Sequence, residues 1–135
     1  VRPVVVDTNI IFSALLREQS QFLQLLLDGK HDFFVCELIL MELFKHKEKI
    51  IRLSQLSENE VIKLYYLLLK RLHVYKEELI TAENWRQAYR LCESVDEDDT
   101  PHVALTLELE GLLWTGDSKL KAGLQRQGFK HFFEY

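Results

Sequence analysis

Apolar residues fall along this chain in two rhythms. Some form short unbroken runs of β-branched or aromatic type, and others recur every three or four residues through longer stretches rich in Leu, Glu and Lys. The first run, Val4 to Val6, reads as a strand and stops at Asp7-Thr8-Asn9, all good helix-capping types, after which Ile10 to Leu16 reads as one or two helical turns. Gln21 to Leu27 is helical in pattern with Gly29 as its stop, and Phe33 to Cys36 is a second run of strand length. From Glu37 to about Leu53 the absence of Gly and Pro predicts one continuous helix. Ser57, with Glu60 three residues on, has the capping-box spacing and opens a helix to about Arg71, so these two helices form a hairpin. Leu72 to Tyr75 predicts a third strand, and Thr81 caps a helix reaching about Val95. Thr100-Pro101 sets an N-cap and a first-turn proline at the head of a helix that runs to Glu110 and stops at Gly111. Leu112 to Thr115 predicts a fourth strand, followed by a helix to about Arg126, a break at Gly128 and a last strand near Phe129 to Phe133.

Strands alternating with helices imply a mostly parallel sheet covered on both faces, because right-handed crossovers return each helix over the sheet. The expected fold is a three-layer α/β/α domain occupying residues 1–135, without repeats or a linker. Composition changes this picture little, since 47% hydrophobic and 28% charged residues are ordinary globular values. Cys36 and Cys92 lie far apart, with no spacing that suggests zinc or a disulfide framework, and read as small core residues. No apolar stretch is long enough to span a bilayer and no secretory start is visible, so a cytoplasmic setting without a membrane partner is expected.

The candidate chemistry is carboxylate chemistry. Ligands of open parallel sheets bind beyond the carboxyl ends of the strands. Asp7 directly follows the first strand and Asp117 follows the fourth by two residues, so both project from that edge, although each is also the kind of residue that simply caps a helix. Glu42 interrupts Leu38-Ile39-Leu40-Met41 and Leu43-Phe44 on a helix that must pack against the sheet. A carboxylate held among apolar neighbours is costly unless it is paired or bound to metal. The run Asp96-Glu97-Asp98-Asp99 precedes a helix start, where acids are welcome by the helix dipole alone. Gathered at one edge, several carboxylates raise one another's pKa unless cations neutralise them. An all-oxygen set without organised His or Cys favours Mg²⁺ or Mn²⁺, ions suited to phosphodiester hydrolysis.

These residues resemble the PIN-domain ribonucleases, the family that includes the VapC toxins of prokaryotic toxin–antitoxin pairs. The resemblance covers nearly the whole chain. It rests on VVVDTNIIFSALL with Asp7, ELILMELFKHKEKI with Glu42, and DDTPHVALTLELEGLLWTGDSKL with Asp99 and Asp117. It implies a five-stranded parallel sheet of order 3-2-1-4-5, a metal site held by Asp7, Glu42, Asp99 and Asp117, and cleavage of RNA. Asp99 is preferred over Asp96 and Asp98 by its place just ahead of the helix of the third motif. The same resemblance implies that Asn9 and Thr115 orient the acids, that Ser118 supports the metal shell, and that a homodimer and an antitoxin protein are the partners to expect. The second motif lacks the Ser or Thr often seen before the Glu, and a second Asp soon after Asp117 is absent, which thins the outer shell.

A formal charge of −4 is unusual for a protein that grips nucleic acid, but two divalent ions would bring it to zero. The basic residues Lys45, Lys47, Lys49 and Arg52 crowd one segment, with Lys63, Lys70 and Arg71 in the next, which reads either as an RNA-facing patch or as an ordinary solvated helix face. Leu64, Leu67, Leu68 and Leu69 make the helical hairpin apolar enough to serve in homodimerisation. His102, one turn after Asp99, reads as a structural residue. His31, His46, His73 and His131 show no ligand spacing, and Trp85 and Trp114 read as core or interface residues. Two other readings stay open: a PIN fold that binds RNA or protein without cutting, and a Mg²⁺-binding phosphorelay receiver domain. The receiver fits less well, because Thr8 and Asn9 stand where it needs a second acid and Lys76 where it needs an Asp.

Overall fold

β1 (Val4–Val6) is inaccessible to water along its whole length, as an all-valine strand at the centre of a parallel sheet must be. In the computed structural model, which describes residues 2–16 and 21–134, β1 pairs in parallel with β2 (Phe33–Cys36) on one side and β4 (Leu112–Trp114) on the other. A further strand, β3 (Leu72–Tyr75), adds to β2, giving the order β3-β2-β1-β4. Val4 stands opposite both Phe33 and Leu112, and Val6 opposite Trp114.

The alternation of side chains along these strands divides the core into two layers. Val4, Val6, Phe33, Val35 and Trp114 face α1 (Thr8–Leu16), α2 (Gln21–Leu27), α3 (Leu38–Lys45), α4 (Lys47–Ser54) and α5 (Glu58–Arg71). Val5, Cys36 and Leu113 face α6 (Ala82–Cys92), α7 (Thr100–Leu109) and α8 (Ser118–Arg126). The expected helix starts hold at the Ser57 and Thr81 caps, whereas the N-cap of α7 falls one residue earlier than expected, at Asp99 instead of Thr100. Ser57 Oγ accepts from the Glu60 N–H at 3.2 Å, and the Glu60 carboxylate accepts from the Ser57 N–H at 3.1 Å. Both cysteines are free and buried. Among the described residues no helix is long and apolar enough to cross a membrane.

Two expectations are corrected. Among the described residues the sheet has four strands, not five. Past Gly128 the chain lies beside β4 where a fifth strand belongs, but it pairs through a single parallel bridge between Leu113 and Phe132. The Leu113 N–H donates to His131 O and the Phe133 N–H to Leu113 O, each at 2.9 Å, while the Phe132 N–H turns back to Lys130 O at 3.2 Å. That local turn stops the ladder from extending, although Phe132 and Phe133 still point into opposite core layers as strand neighbours would. The second correction concerns the helix expected from Glu37 to Leu53, which is broken at His46 into α3 and α4. No Gly or Pro marks this break. Its cause is tertiary: Phe12 of α1 packs edge-on against the His46 ring at 5.5 Å, and Tyr65 of α5 donates its hydroxyl to Leu43 O at 2.8 Å.

Trp114 anchors the first core layer, with ring centroids 5.7 Å from Phe22, 5.5 Å from Phe33 and 5.2 Å from Phe133. Trp114→Ala is expected to lower unfolding free energy by about 3–5 kcal/mol in urea titrations followed by circular dichroism. A loss below about 1 kcal/mol would show that this aromatic cluster does not hold the sheet to its helices.

Candidate metal centre

Asp7 emerges from the end of β1, where its own N–H donates to Trp114 O at 3.1 Å and carries the β1–β4 pairing one step past the strand. Its side chain then turns into the head of α1. Oδ1 accepts from the Ile10 N–H at 3.0 Å, the Asn9 backbone N–H adds a second bond, and the Thr115 hydroxyl donates a third. Only 2% of Asp7 is exposed. Burial outweighs these three bonds and, with the nearby charge of Asp117, lifts its pKa above the ordinary carboxylate value.

Asp117 caps α8, accepting at Oδ1 from the N–H groups of Lys119 at 3.0 Å and Leu120 at 3.1 Å. The Asp117 N–H donates to Thr115 Oγ1 at 3.1 Å, so one threonine hydroxyl ties the two acids together. Both aspartates are therefore helix caps. Capping fixes where their carboxylates sit and does not exhaust what they do.

Asp99 closes a 3-10 turn, Glu97–Asp99, and stands at the N-cap of α7 without spending its side chain on a cap bond. Burial first, then the like charges of Asp96, Asp7, Asp117 and Asp98, push it up to about 7. Asp7 and Asp117 act on Asp99 across some 90 and 18 residues of sequence, so the fold brings the three together electrostatically. Glu42 reaches the same place from α3, and His46 Nε2 lies 3.5 Å from its carboxylate.

A cleft of 270 Å³ is lined by Asp7, Thr8, Asn9, Phe12, Leu38, Glu42, His46, Asp98, Asp99 and His102. Three of the four expected acids thus share one cleft. Asp117 lines an adjoining one with Asn9, Ser13 and Gly116, and Ser118 faces a third groove with Ser94 and Arg126. Ser118 thus stands away from the shared cleft, because it is the first residue of α8 and turns outward there. Asn9 contributes its backbone N–H to Asp7.

Four polar residues of the cleft were not assigned to the site from the sequence. Asp98 was set aside for its neighbour Asp99, yet lines the same wall. Thr8 carries no signal beyond its place after Asp7. His46 had one, its position four residues after Glu42. His102 is buried, which pushes it down to about 4 and keeps it neutral at neutral pH. Its Nε2 lies 3.4 Å from Thr8 Oγ1, while Nδ1 has no hydrogen-bond partner among the described residues.

Among the described residues no three Asp, Glu, His or Cys side chains, as placed, stand close enough to share one ion. The chemistry of the set still fits a hard cation. It is built on carboxylate oxygens, and the upward displacement of Asp7 and Asp99 is the strain that divalent charge relieves.

A family model described as PIN domain matches residues 5–132, nearly the whole chain. The chain belongs to the PIN-domain family. Its fold is also similar to a chain in the crystal structure of VapBC2 from Rickettsia felis bound to a DNA fragment from their promoter, with a TM-score of 0.65 and 15% identity over 89% of this chain and 92% of that one. No curated protein matches the sequence. Membership of the PIN-domain family sets aside the receiver-domain reading.

Because the folded pKa of Asp99 is raised from 3.8 to about 7, its contribution to stability is full in acid and is lost as pH rises through 7 in metal-free protein. Asp99→Asn removes that loss. Thermal melts in EDTA at pH 7.5 should therefore find the variant more stable than the wild type by a few degrees, with the gap closing toward pH 5. An Asp99→Asn protein that melts lower at pH 7.5 would contradict the crowding of charge described here.

Proposed function

We propose that this PIN domain is a metal-dependent endoribonuclease that hydrolyses RNA phosphodiester bonds at the cleft bounded by Asp7, Glu42 and Asp99, with Asp117 beside it. The observation that carries this reading is the gathering of Asp7, Glu42 and Asp99 around one cleft with Asp117 in the adjoining one, and the lift of Asp99 to about 7 by burial and neighbouring charge agrees with it. A hard divalent ion, Mg²⁺ or Mn²⁺, supplies when bound the Lewis acidity that phosphodiester hydrolysis requires. Asp7, Glu42, Asp99 and Asp117 are the residues that would hold it. Thr115 holds the Asp7 carboxylate and the Asp117 backbone, which supports both acids from one hydroxyl. Near pH 7 the Asp99 carboxyl keeps its proton part of the time in metal-free protein and would have to give it up to hold a cation. Neutral His102 and the ring of Phe12 add walls without adding charge.

The fold shared with a VapBC2 chain supports a toxin role, with a small antitoxin protein as partner and the cytoplasm as setting. Exposed apolar side chains offer surface for such a partner or for a second copy of the chain: Met41 and Phe44 on α3 are 76% and 81% exposed, and Tyr66 on α5 is 62% exposed. A second reading, a PIN fold that binds RNA or protein without cutting it, draws on the spacing of the acids, no three of which converge as placed among the described residues.

Cleavage of a mixed RNA pool separates the two. The nuclease reading expects cutting with Mn²⁺, none with EDTA, and a loss of more than about 100-fold for Asp7→Asn under Mn²⁺, beyond the effect of removing an outer-shell partner. Intact RNA in every lane would favour the binding module. Cutting that survives Asp7→Asn would put the site elsewhere.

A further inference from the structure

Beside the acidic cleft lies a surface of opposite character. On α6, Trp85 and Tyr89 are one turn apart, and so are Arg86 and Arg90, forming two parallel stripes of aromatic and cationic side chains. Together with Thr100 these four residues line a groove of 390 Å³. Thr100 directly follows Asp99, which lines the carboxylate cleft. Trp85 is half-buried and packs against the second core layer, which holds its ring still, while Tyr89 is 47% exposed. Arg86 is paired with Glu83 at 2.7 Å in an exposed bridge that an incoming anion can displace at little cost. Arg90 forms no close ion pair among the described residues, although its charge reaches the Glu83 carboxylate through space.

Two aromatic side chains flanked by two arginines are the residue types that receive a nucleobase and its phosphate. Double-stranded RNA offers no unstacked base for the rings. We propose that this groove is a subsite for single-stranded RNA, seating a nucleotide that flanks the point of cleavage. Its base stacks on Trp85 and Tyr89, and its phosphate meets Arg86 and Arg90. The inference rests on the reading of the neighbouring cleft as an RNA-cutting centre. It also explains how a chain of net charge −4 holds a polyanion: the contact is local and depends on stacking as well as charge.

The test is fluorescence anisotropy of a labelled single-stranded RNA decamer in EDTA, where no cutting occurs, across a series of KCl concentrations. Tyr89→Ala is expected to weaken binding by about tenfold, with Tyr89→Phe close to wild type. Arg86→Gln combined with Arg90→Gln should weaken binding and flatten the slope of log Kd against log salt by about 1.4, or 0.7 for each lost phosphate contact. Circular dichroism and melting temperature check that each variant is folded, which these exposed positions favour. Wild-type affinity and slope in both sets overturns the subsite and leaves the groove to an acidic peptide, and so does a wild type that fails to bind the decamer at low salt. Cleavage of an RNA pool with Mn²⁺ is scored separately. Cutting with unaffected groove variants sinks the subsite alone, whereas lost affinity in those variants without any cutting sinks the nuclease reading alone.

Discussion

A carboxylate buried at the end of the central strand is the constraint around which this domain is arranged. Asp7 lies where β1, α1 and β4 meet, and its side chain accepts from backbone groups of α1 and from the Thr115 hydroxyl beyond β4. Those bonds do not make its charge comfortable, because burial still dominates. Asp117 is tied to the same threonine, and α7 begins with Asp99 facing the same region, so three elements distant in sequence deliver like charge to one edge. The two-layer core holds them there, with an all-valine strand between two sets of helices. Separation of the carboxylates would relieve the repulsion, but it would require unpacking Trp114 and the strand pairs that fix it.

Much of this was legible in the sequence because the signals were local. Val4 to Val6 before Asp7, the Ser57–Glu60 box, and Thr100-Pro101 each mark an element end by chemistry confined to a few residues. The strand order was legible only through resemblance, since periodicity says that strands exist and not which are neighbours. What escaped was set by distant contacts. The α3–α4 break at His46 follows from Phe12 pressing on its ring, and no residue within Glu37 to Leu53 announces it. The segment Phe129 to Phe133 alternates as a strand does, but a turn between Lys130 and Phe132 limits it to a single bridge.

The site divides the same way. Asp7, Glu42 and Asp99 line one cleft, and Asp117 acts on it from the adjoining one, as the sequence pattern allowed. Ser118, expected beside the acids, lines a groove with Ser94 and Arg126, since a residue after a cap has no fixed direction in sequence. Trp85 was read as a core or interface residue. Half of it is core, and the other half floors a groove whose cationic edge became visible only once Arg86, Arg90 and Thr100 were seen side by side. Asp99 of the acidic cleft and Thr100 of this arginine-bearing groove are consecutive residues, which under the proposal gives an acidic protein a local means of meeting an anionic chain.

The central claim is that crowded carboxylates at the sheet edge are a cation site, and calorimetric titration of Mn²⁺ into metal-free protein at pH 7 tests it most directly. Run in two buffers of different ionisation enthalpy, the wild type should bind Mn²⁺ with release of a fraction of a proton, because Asp99 is part-protonated at that pH. Asp99→Asn should bind more weakly and release none of that fraction. Equal affinity and equal proton release in the two proteins, or no binding by the wild type, would contradict the account.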